Sequence, residues 1–238
     1  MVASQVHLVR HGEVFNPDGI LYGRLPGFGL SKLGHSMAQA AADDLVARAR
    51  PVAALWASPL QRTRESAAPI SAAFGLEPKI DERIMEPTNR FEGTRMKRAI
   101  RRPTNWPYLV NPLRPSWGEA YTSIERRMLA AIDEAFESVD SGDVILVSHQ
   151  LPIWVTHLSV AGERYPHDPR KRRCALSSIT TFERAPAADA VSAVATDPTD
   201  HAPVAHPGRT STSQRLVEVG YGEPAASLLV AATDVGAV

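Results

Sequence analysis

Two apolar runs that each end in histidine constrain the fold of this chain more than any other feature. The first covers Gln5 to Arg10 and is followed directly by His11, and the second, "DVILVSH", ends at His149. Neither run shows a clean alternation of apolar and polar residues, which is typical of strands covered on both faces. We therefore expect two central strands, each with a histidine at its carboxyl end.

Helical segments alternate with these runs. Ser31 is a good N-cap for a first helix, whose apolar residues recur at helical spacing at Leu33, Met37, Ala41 and Leu45. The stretch "VAALWA" (52–57) then predicts a second buried strand. The chain thus begins with a strand, a helix and another strand.

Proline and glycine mark the next helices. Ser58 and Pro59 predict the cap and first turn of a helix that Gly75 should end, while Pro69 predicts a kink or an earlier end. A later helix, from about Gly118, carries one apolar stripe formed by Tyr121, Ile124, Met128, Ile132, Phe136 and Val139.

The remaining segments complete an alternating pattern. "EPKIDERI" could supply an extended segment, Pro152 marks the start of a helix after His149, and "ALSSITTFER" and "RLVEVGYG" predict late strands. This order favours an α/β three-layer sandwich, with a mostly parallel central sheet and helices on both faces. At 238 residues and 44% hydrophobic content, one domain over residues 1–238 accounts for the length.

Two segments depart from this pattern. Residues 93–117 hold four prolines, two tryptophans and a basic cluster of Arg95, Lys97, Arg98, Arg101 and Arg102. We interpret this segment as a lid-like insertion over one end of the sheet. Residues 185–214 have almost no large apolar side chains to offset the entropy of ordering, which predicts a disordered loop.

Composition narrows the partners. The formal net charge is zero, so the field of the whole molecule gives no reason to expect nucleic acid or an anionic membrane. The single cysteine, Cys174, excludes an internal disulfide framework and a cysteine-rich zinc site. No apolar stretch reaches membrane-spanning length and the N-terminus lacks a secretory signal. We expect a cytoplasmic protein, with a homodimer left open beside a monomer.

Basic side chains should meet at one edge of the predicted sheet. Ligands of open parallel sheets bind beyond the carboxyl ends of the strands, where Arg10, His11 and His149 would lie. Arg62, one turn into the helix after the second strand, would join them, whereas Arg64 fits a solvated helix face. Guanidinium groups bind phosphate through paired hydrogen bonds, so the set indicates a site for a phosphoryl group.

Three motifs of the chain resemble those of the histidine phosphatase superfamily, which includes cofactor-dependent phosphoglycerate mutases and broad acid phosphatases. They are "LVRHGE", "SPLQRTRESA" and "VSHQ", in matching order and spacing. The resemblance implies that His11 is a nucleophile that becomes phosphorylated, and that Arg10, Arg62 and His149 hold the phosphate. No metal is needed, because the arginines neutralise the charge of the phosphate and the sequence shows no cluster of aspartates suited to magnesium. We expect no cofactor.

The resemblance also implies a carboxylic acid that protonates the leaving oxygen, within a segment similar to "DERIMEPTNRFEG". Glu86 is the candidate for this role, with Glu82 and Glu92 as rivals and a solvated carboxylate as the alternative. The glycine usual after the acid is absent here. Glu119, in a segment similar to the family's Gly-Glu-Ser, is a candidate brace.

Asn16 is a further candidate phosphate contact, although an ordinary turn residue fits its position equally well. Gln150 replaces the glycine or alanine that commonly follows the second histidine, and its amide could line the pocket or face a helix start.

These residues predict a phosphoric monoester hydrolase that acts on a small phosphomonoester. A phosphoglycerate mutase is one alternative, disfavoured because the lysine-rich run of such mutases is replaced by "GTRMKRAIRRPTNWPYL". A non-catalytic phospho-ligand-binding module is another. The physiological substrate stays open, and the basic cluster of residues 95–102 would favour a second negative group if it overhangs the pocket.

Overall fold

A six-stranded sheet organises the chain, of which the computed structural model describes residues 2–109, 118–186 and 214–234. The strands are β1 (Val6–Arg10), β2 (Val52–Ala57), β3 (Lys79–Ile80), β4 (Asp143–Ser148), β5 (Ile179–Pro186) and β6 (Gln214–Gly222). Their spatial order is β3-β2-β4-β1-β5-β6. The first four strands in this order are parallel, and β5 and β6 are antiparallel to their neighbours. The predicted mostly parallel sheet is confirmed.

Helices cover both faces of this sheet. They are α1 (Lys32–Ala47), α2 (Gln61–Phe74), α3 (Met96–Ile100), α4 (Trp106–Leu109), α5 (Tyr121–Glu137) and α6 (Gln150–Ala161). Side chains of a strand alternate between faces, so Leu8 of β1 packs into the core beneath α5 and α6 while Val9 packs into the core beneath α1 and α2. The predicted three-layer architecture is therefore confirmed.

The boundaries of α1 and α2 agree with the sequence-based prediction at some positions and differ at others. Ser31 caps α1 as expected, because its hydroxyl accepts a hydrogen bond from the backbone N–H of Gly34. Ser58 does not cap α2, which begins at Gln61. The early end predicted at Pro69 is also wrong: α2 continues to Phe74 and ends at Gly75, because buried apolar residues on both sides of the proline hold it against the sheet.

The structure describes part of each of the two segments that depart from the alternating pattern, residues 93–117 and 185–214. Over residues 93–109 the chain forms α3, a 3₁₀ turn and α4, and Leu21, Phe91 and Ala99 make a small apolar cluster there. Arg95, Arg98, Arg101 and Arg102 are exposed, and residues 110–117 lie outside the described residues. The lid role stays a prediction.

The predicted disordered loop is wrong at its ends. Ala185 and Pro186 belong to β5 and Gln214 begins β6, because β5 and β6 pair up to these residues. Residues 187–213 lie outside the described residues. Among the helices that the structure describes, none combines the length and apolarity needed to cross a membrane.

A buried carboxylate ties together the amino ends of β1 and β4, opposite the histidines. Asp143 accepts hydrogen bonds from the backbone N–H of Gln5 (3.1 Å), from Nε of Arg50 (2.6 Å) and from Nε2 of His7 (3.3 Å). Burial alone would raise the pKa of Asp143, but the hydrogen bonds from Arg50 and His7 outweigh it and lower the pKa to about 2. The ionised carboxylate therefore stabilises the fold.

We predict that Asp143→Asn lowers the free energy of unfolding at neutral pH by about 2 kcal/mol. The figure follows because one pKa unit corresponds to about 1.4 kcal/mol and the pKa falls from its ordinary 3.8 to about 2. A depressed carboxyl pKa stabilises the fold above the unfolded value, and this stabilisation is lost as the pH falls from about 4 to about 2.

Urea denaturation at pH 7 and pH 2.5 measures the difference. The gap between wild type and Asp143→Asn should narrow at the lower pH, while Asp140→Asn, at an exposed acid nearby, should match wild type at both. An equal gap at both pH values would show that the charge of Asp143 is not what matters.

Candidate active site

The register of β1 against β4 brings the two histidines together. Arg10 lies opposite Ser148 in this parallel pair, so the next residue of each strand, His11 and His149, emerges at the same edge. The backbone N–H of His11 donates to the carbonyl of Ser148 (3.2 Å), and the two imidazole ring centres are 5.3 Å apart. Both side chains are fully buried.

The neighbouring strand β2 supplies the next two groups. The backbone N–H of Ser58 donates to the carbonyl oxygen of Val147 in β4 (3.0 Å), which brings the end of β2 to the same edge. The hydroxyl of Ser58 lies 2.8 Å from Nε2 of His149. One turn later α2 begins and directs Arg62 inward, where it is buried, whereas Arg64 is exposed as expected. The residue predicted as a helix cap thus orients His149 instead.

Glu86 is the acid that the structure brings to the histidines. The hydroxyl of Ser148 donates to the carbonyl of Ile84 (2.7 Å), which fixes a 3₁₀ turn just before this residue. Glu86 is fully buried, with Oε2 3.6 Å from Nδ1 of His149. Its rival Glu82 is exposed, and Oε1 of Glu92 accepts from the backbone N–H of Asn89 (3.1 Å).

A backbone carbonyl fixes the tautomer of His11. Nδ1 of the ring lies 2.8 Å from the carbonyl oxygen of Gly12, which can only accept, so Nδ1 carries the proton. Burial lowers the pKa of His11 well below its ordinary 6.5, and the charges of Arg62 and Arg10 lower it further. The ring is therefore neutral at pH 7, and its free lone pair is on Nε2.

Several polar atoms of the site are buried without a hydrogen-bond partner among the described residues. They are Nε of Arg10, Nε of Arg62, Nε2 of His11, Nδ1 of His149 and both carboxyl oxygens of Glu86. A buried polar group left unpaired costs about 1–3 kcal/mol, so such a cluster indicates a ligand site. Two arginine donors beside a histidine pair suit an anion with several acceptor oxygens.

The same cluster contains side chains that could also act as metal ligands. Ligand atoms of His11, Glu86 and His149 all lie within 4.8 Å of one another, and imidazole with carboxylate is a transition-metal donor set. The guanidinium groups that lower the pKa of both histidines would, however, repel a dication at this position. The charge balance therefore fits an anion better than a metal.

Burial also sets the protonation of Glu86. Desolvation raises the pKa of this carboxyl above its ordinary value, although the charges of Arg62, Arg172 and Arg10 oppose the rise. A carboxyl with a raised pKa keeps its proton to a higher pH, as a general acid requires.

Three further residues of this region were missed by sequence reasoning. The ring of Tyr22 lies under the guanidinium of Arg62, 4.8 Å from its central carbon, and burial raises the pKa of this phenol to about 12. Arg172 donates from Nε to His167 (2.8 Å) and from Nη1 to Gln150 (3.1 Å). Asp234 contacts Arg10. Only Arg172 left a signal in the sequence, the basic run at residues 170–173.

The two remaining candidates, Asn16 and Gln150, make hydrogen bonds within the chain. The amide of Asn16 donates to the carbonyl of Ile20 (2.8 Å) and accepts from its N–H (3.2 Å), so it holds a turn, and its role as a phosphate contact stays a prediction. Asn16 also lines an open cleft of about 320 Å³ formed by residues 13–17, Ser31 and Thr233. Gln150 is half-buried and accepts from Arg172.

Glu119 contacts two arginines, one of which reaches the backbone of Glu86. Its carboxylate accepts from Nε and Nη2 of Arg127, both at 3.0 Å, and lies 3.7 Å from the guanidinium of Arg24. Nε of Arg24 in turn donates to the backbone carbonyl of Glu86 (2.5 Å). Glu119 is thus linked to the backbone of Glu86 through Arg24, and its role as a brace stays a prediction.

Comparison with known proteins decides the family. Residues 6–196 match the histidine phosphatase superfamily (branch 1). The chain belongs to this superfamily. It is 50% identical over 182 residues to the uncharacterized protein Rv0525 of Mycobacterium tuberculosis, which covers 75% of this chain and 89% of the relative. It is 29% identical over 184 residues to the probable phosphoglycerate mutase GpmB of Yersinia enterocolitica, covering 74% of this chain and 84% of the relative.

Solved structures share the fold of this superfamily member. Mycobacterial hydrolase 2 superposes with a TM-score of 0.66 at 19% identity, covering 97% of this chain and 98% of the other. YhfR of Bacillus stearothermophilus gives 0.66 at 21% identity, covering 76% and 91%. A mycobacterial glucosyl-3-phosphoglycerate phosphatase, Rv2419c, gives 0.61 at 22% identity, covering 76% and 90%.

Two glycines let helix α1 pack directly on the loop that holds His11. A Cβ atom at Gly34 would lie 2.0 Å from the carbonyl oxygen of Glu13, and one at Gly12 would lie 2.4 Å from the carbonyl oxygen of Gly34. No side chain fits at this contact without moving the backbone next to the nucleophile.

We predict that Gly34→Ala lowers both stability and turnover. Alanine would favour the helix by up to about 1 kcal/mol, but the clash with the backbone of Glu13 should cost about 1–3 kcal/mol. Thermal unfolding and phosphatase assays measure the two effects, and His35→Ala, at an exposed position in the same turn, is the control. A Gly34→Ala protein that is more stable than wild type and fully active would contradict the proposed packing.

Proposed function

We propose that the chain is a metal-independent phosphatase that hydrolyses a small phosphomonoester through a phosphohistidine on His11. The observation that carries this proposal is the group of buried nitrogen atoms beside His11 that have no hydrogen-bond partner among the residues that the structure describes. A phosphate placed among them would accept hydrogen bonds from Arg10, Arg62 and His149 while facing the free lone pair of the nucleophile.

In the first step, Nε2 of His11 attacks phosphorus and the bond from phosphorus to the ester oxygen breaks. Glu86, whose pKa is raised by burial, gives its proton to the departing oxygen, so an alcohol leaves rather than an alkoxide. The guanidinium groups of Arg10 and Arg62 neutralise the charge of the phosphoryl oxygens during transfer.

In the second step, water attacks phosphorus and the bond to Nε2 breaks. The Glu86 carboxylate takes one proton from this water, which returns the acid to its starting state, and inorganic phosphate leaves. His11 regains its lone pair on Nε2, while the carbonyl of Gly12 keeps the proton on Nδ1 throughout. The cycle needs only water and the phosphomonoester.

A phosphoglycerate mutase is the second candidate, favoured by the similarity to GpmB. The two activities differ in whether the phosphohistidine passes its phosphoryl group to water or to a bound phosphoglycerate. Incubating the phosphorylated protein with 2- and 3-phosphoglycerate and following release of free phosphate separates them. Release unaffected by either acceptor supports the phosphatase, and transfer to the acceptor supports the mutase.

We predict that His11→Ala releases no phosphate from p-nitrophenyl phosphate and takes up no acid-labile label from a radiolabelled substrate. The loss follows because the covalent intermediate forms on the ring that this variant lacks. His35→Ala, at an exposed histidine, should keep both properties. Acid-labile label that survives in His11→Ala would move the nucleophile elsewhere. A wild-type protein that binds phosphate without any turnover would favour the binding module.

We predict that Glu86→Gln slows hydrolysis of an alkyl phosphate about a hundredfold to ten-thousandfold and of p-nitrophenyl phosphate much less. An alkoxide must be protonated as it leaves, whereas p-nitrophenolate is already a stable anion near neutral pH. Because Glu86 acts in its protonated form, wild-type activity on the alkyl ester should fall as the pH rises through its raised pKa.

Rates for both substrates across pH 4–9 test this assignment, with Glu82→Gln and Glu92→Gln as matched controls. Equal slowing of both substrates in Glu86→Gln, or selective slowing in either control, would show that Glu86 is not the proton donor.

A further inference from the structure

A carboxylate from the C-terminal end of the described chain holds one edge of the Arg10 guanidinium. Nη1 of Arg10 donates to Oδ2 of Asp234 (2.9 Å) and Nη2 donates to Oδ1 (2.6 Å). Nη1 also donates to the backbone carbonyl of Cys174 (2.6 Å). The guanidinium is completely buried, so these acceptors fix its orientation.

The opposite edge of Arg10 carries the nitrogen that faces no acceptor among the described residues. Nε of Arg10 and Nε of Arg62 are both buried, and neither has a hydrogen-bond partner in the described part of the chain. A guanidinium offers two edges for paired hydrogen bonds, one from Nη1 and Nη2 and one from Nε and Nη2. Asp234 occupies the first edge, which leaves the second for a phosphate.

The segment that carries Asp234 is itself packed and hydrogen-bonded. Leu228, Leu229 and Ala232 belong to an apolar cluster with Leu33 and Met37 of α1. The backbone N–H of Thr233 donates to Oε1 of Glu13 (2.6 Å), two residues beyond His11. The position of Asp234 is therefore set by contacts with α1 and with the loop of the nucleophile.

We propose that Asp234 is a positioning residue for phosphoryl transfer, which turns the Nε edge of Arg10 toward the phosphoryl group beside His11. This inference rests on the proposed phosphatase function. The negative charge of Asp234 weakens the attraction of the site for a phosphate dianion. Its benefit therefore lies in the geometry of the transition state, where a donor fixed in advance costs no reorganisation.

A competing role would leave a different kinetic signature. If the carboxylate of Asp234 occupied the place of the phosphate, its removal would tighten substrate binding and leave the chemical step unchanged. A positioning role predicts the reverse, because loss of orientation slows transfer while loss of the negative charge keeps substrate binding equal or tighter.

The test measures kcat and KM for p-nitrophenyl phosphate in Asp234→Ala and Asp234→Asn, with Asp133→Asn as the control at a surface acid paired with Arg184. We expect kcat to fall at least tenfold in Asp234→Ala at equal or lower KM. The kcat of Asp234→Asn should lie between those of wild type and Asp234→Ala, since the amide keeps one acceptor oxygen. An unchanged or higher kcat, or a lower KM as the only effect, would overturn the positioning role.

Two further measurements keep the result interpretable. In an Arg10→Ala background, Asp234→Ala should have little further effect on kcat, because each change removes the same Arg10–Asp234 ion pair. Independent effects of the two changes on kcat would overturn the proposal. Calorimetric binding of vanadate, which mimics the transition state, should weaken at least tenfold in Asp234→Ala while inorganic phosphate binds as before. Unchanged vanadate binding in Asp234→Ala would overturn the positioning role. A wild-type protein without turnover would instead contradict the proposed phosphatase function, and the vanadate measurement would still test Asp234.

Discussion

The parallel pairing of β1 with β4 is the contact on which the site depends. Because Arg10 lies opposite Ser148, the residue after each strand is a histidine, and the two rings meet at the carboxyl edge. A shift of one residue in this register would turn every side chain of the shifted strand to the other face of the sheet and separate the rings. The buried Asp143 network at the opposite end of the same strands helps to hold that register.

Burial and positive charge together decide the chemistry available at this edge. Two buried guanidinium groups favour anions. Burial lowers the pKa of His11 and His149 well below the ordinary value, and the charges of Arg62 and Arg10 lower it further. The same burial keeps a proton on Glu86 to higher pH, against the arginines. A neutral nucleophile, fixed cationic donors and a carboxyl group with a raised pKa coexist because desolvation disfavours a charge on each titratable group, while the guanidinium groups stay charged in any environment.

Sequence alone predicts the parts of this arrangement that are local or periodic. The apolar runs of β1 and β4 indicate central strands, and topology then predicts that Arg10, His11, Arg62 and His149 share one edge. Three-dimensional context decides the rest. Ser58 looked like a helix cap but orients His149, and Pro69 is held inside α2 by the packing of its neighbours. Asp234 had no local signal, since it reaches Arg10 from 224 residues away in sequence.

The identity of the phosphorylated nitrogen tests the central claim most directly. Protein trapped during turnover and denatured in alkali retains a phosphohistidine, and phosphorus–proton correlation NMR distinguishes phosphate on Nε2 from phosphate on Nδ1. Because the carbonyl of Gly12 holds the proton on Nδ1, we predict phosphorylation of His11 on Nε2. Phosphate on Nδ1 of His11, or on His149 or Ser58 instead, would contradict the account.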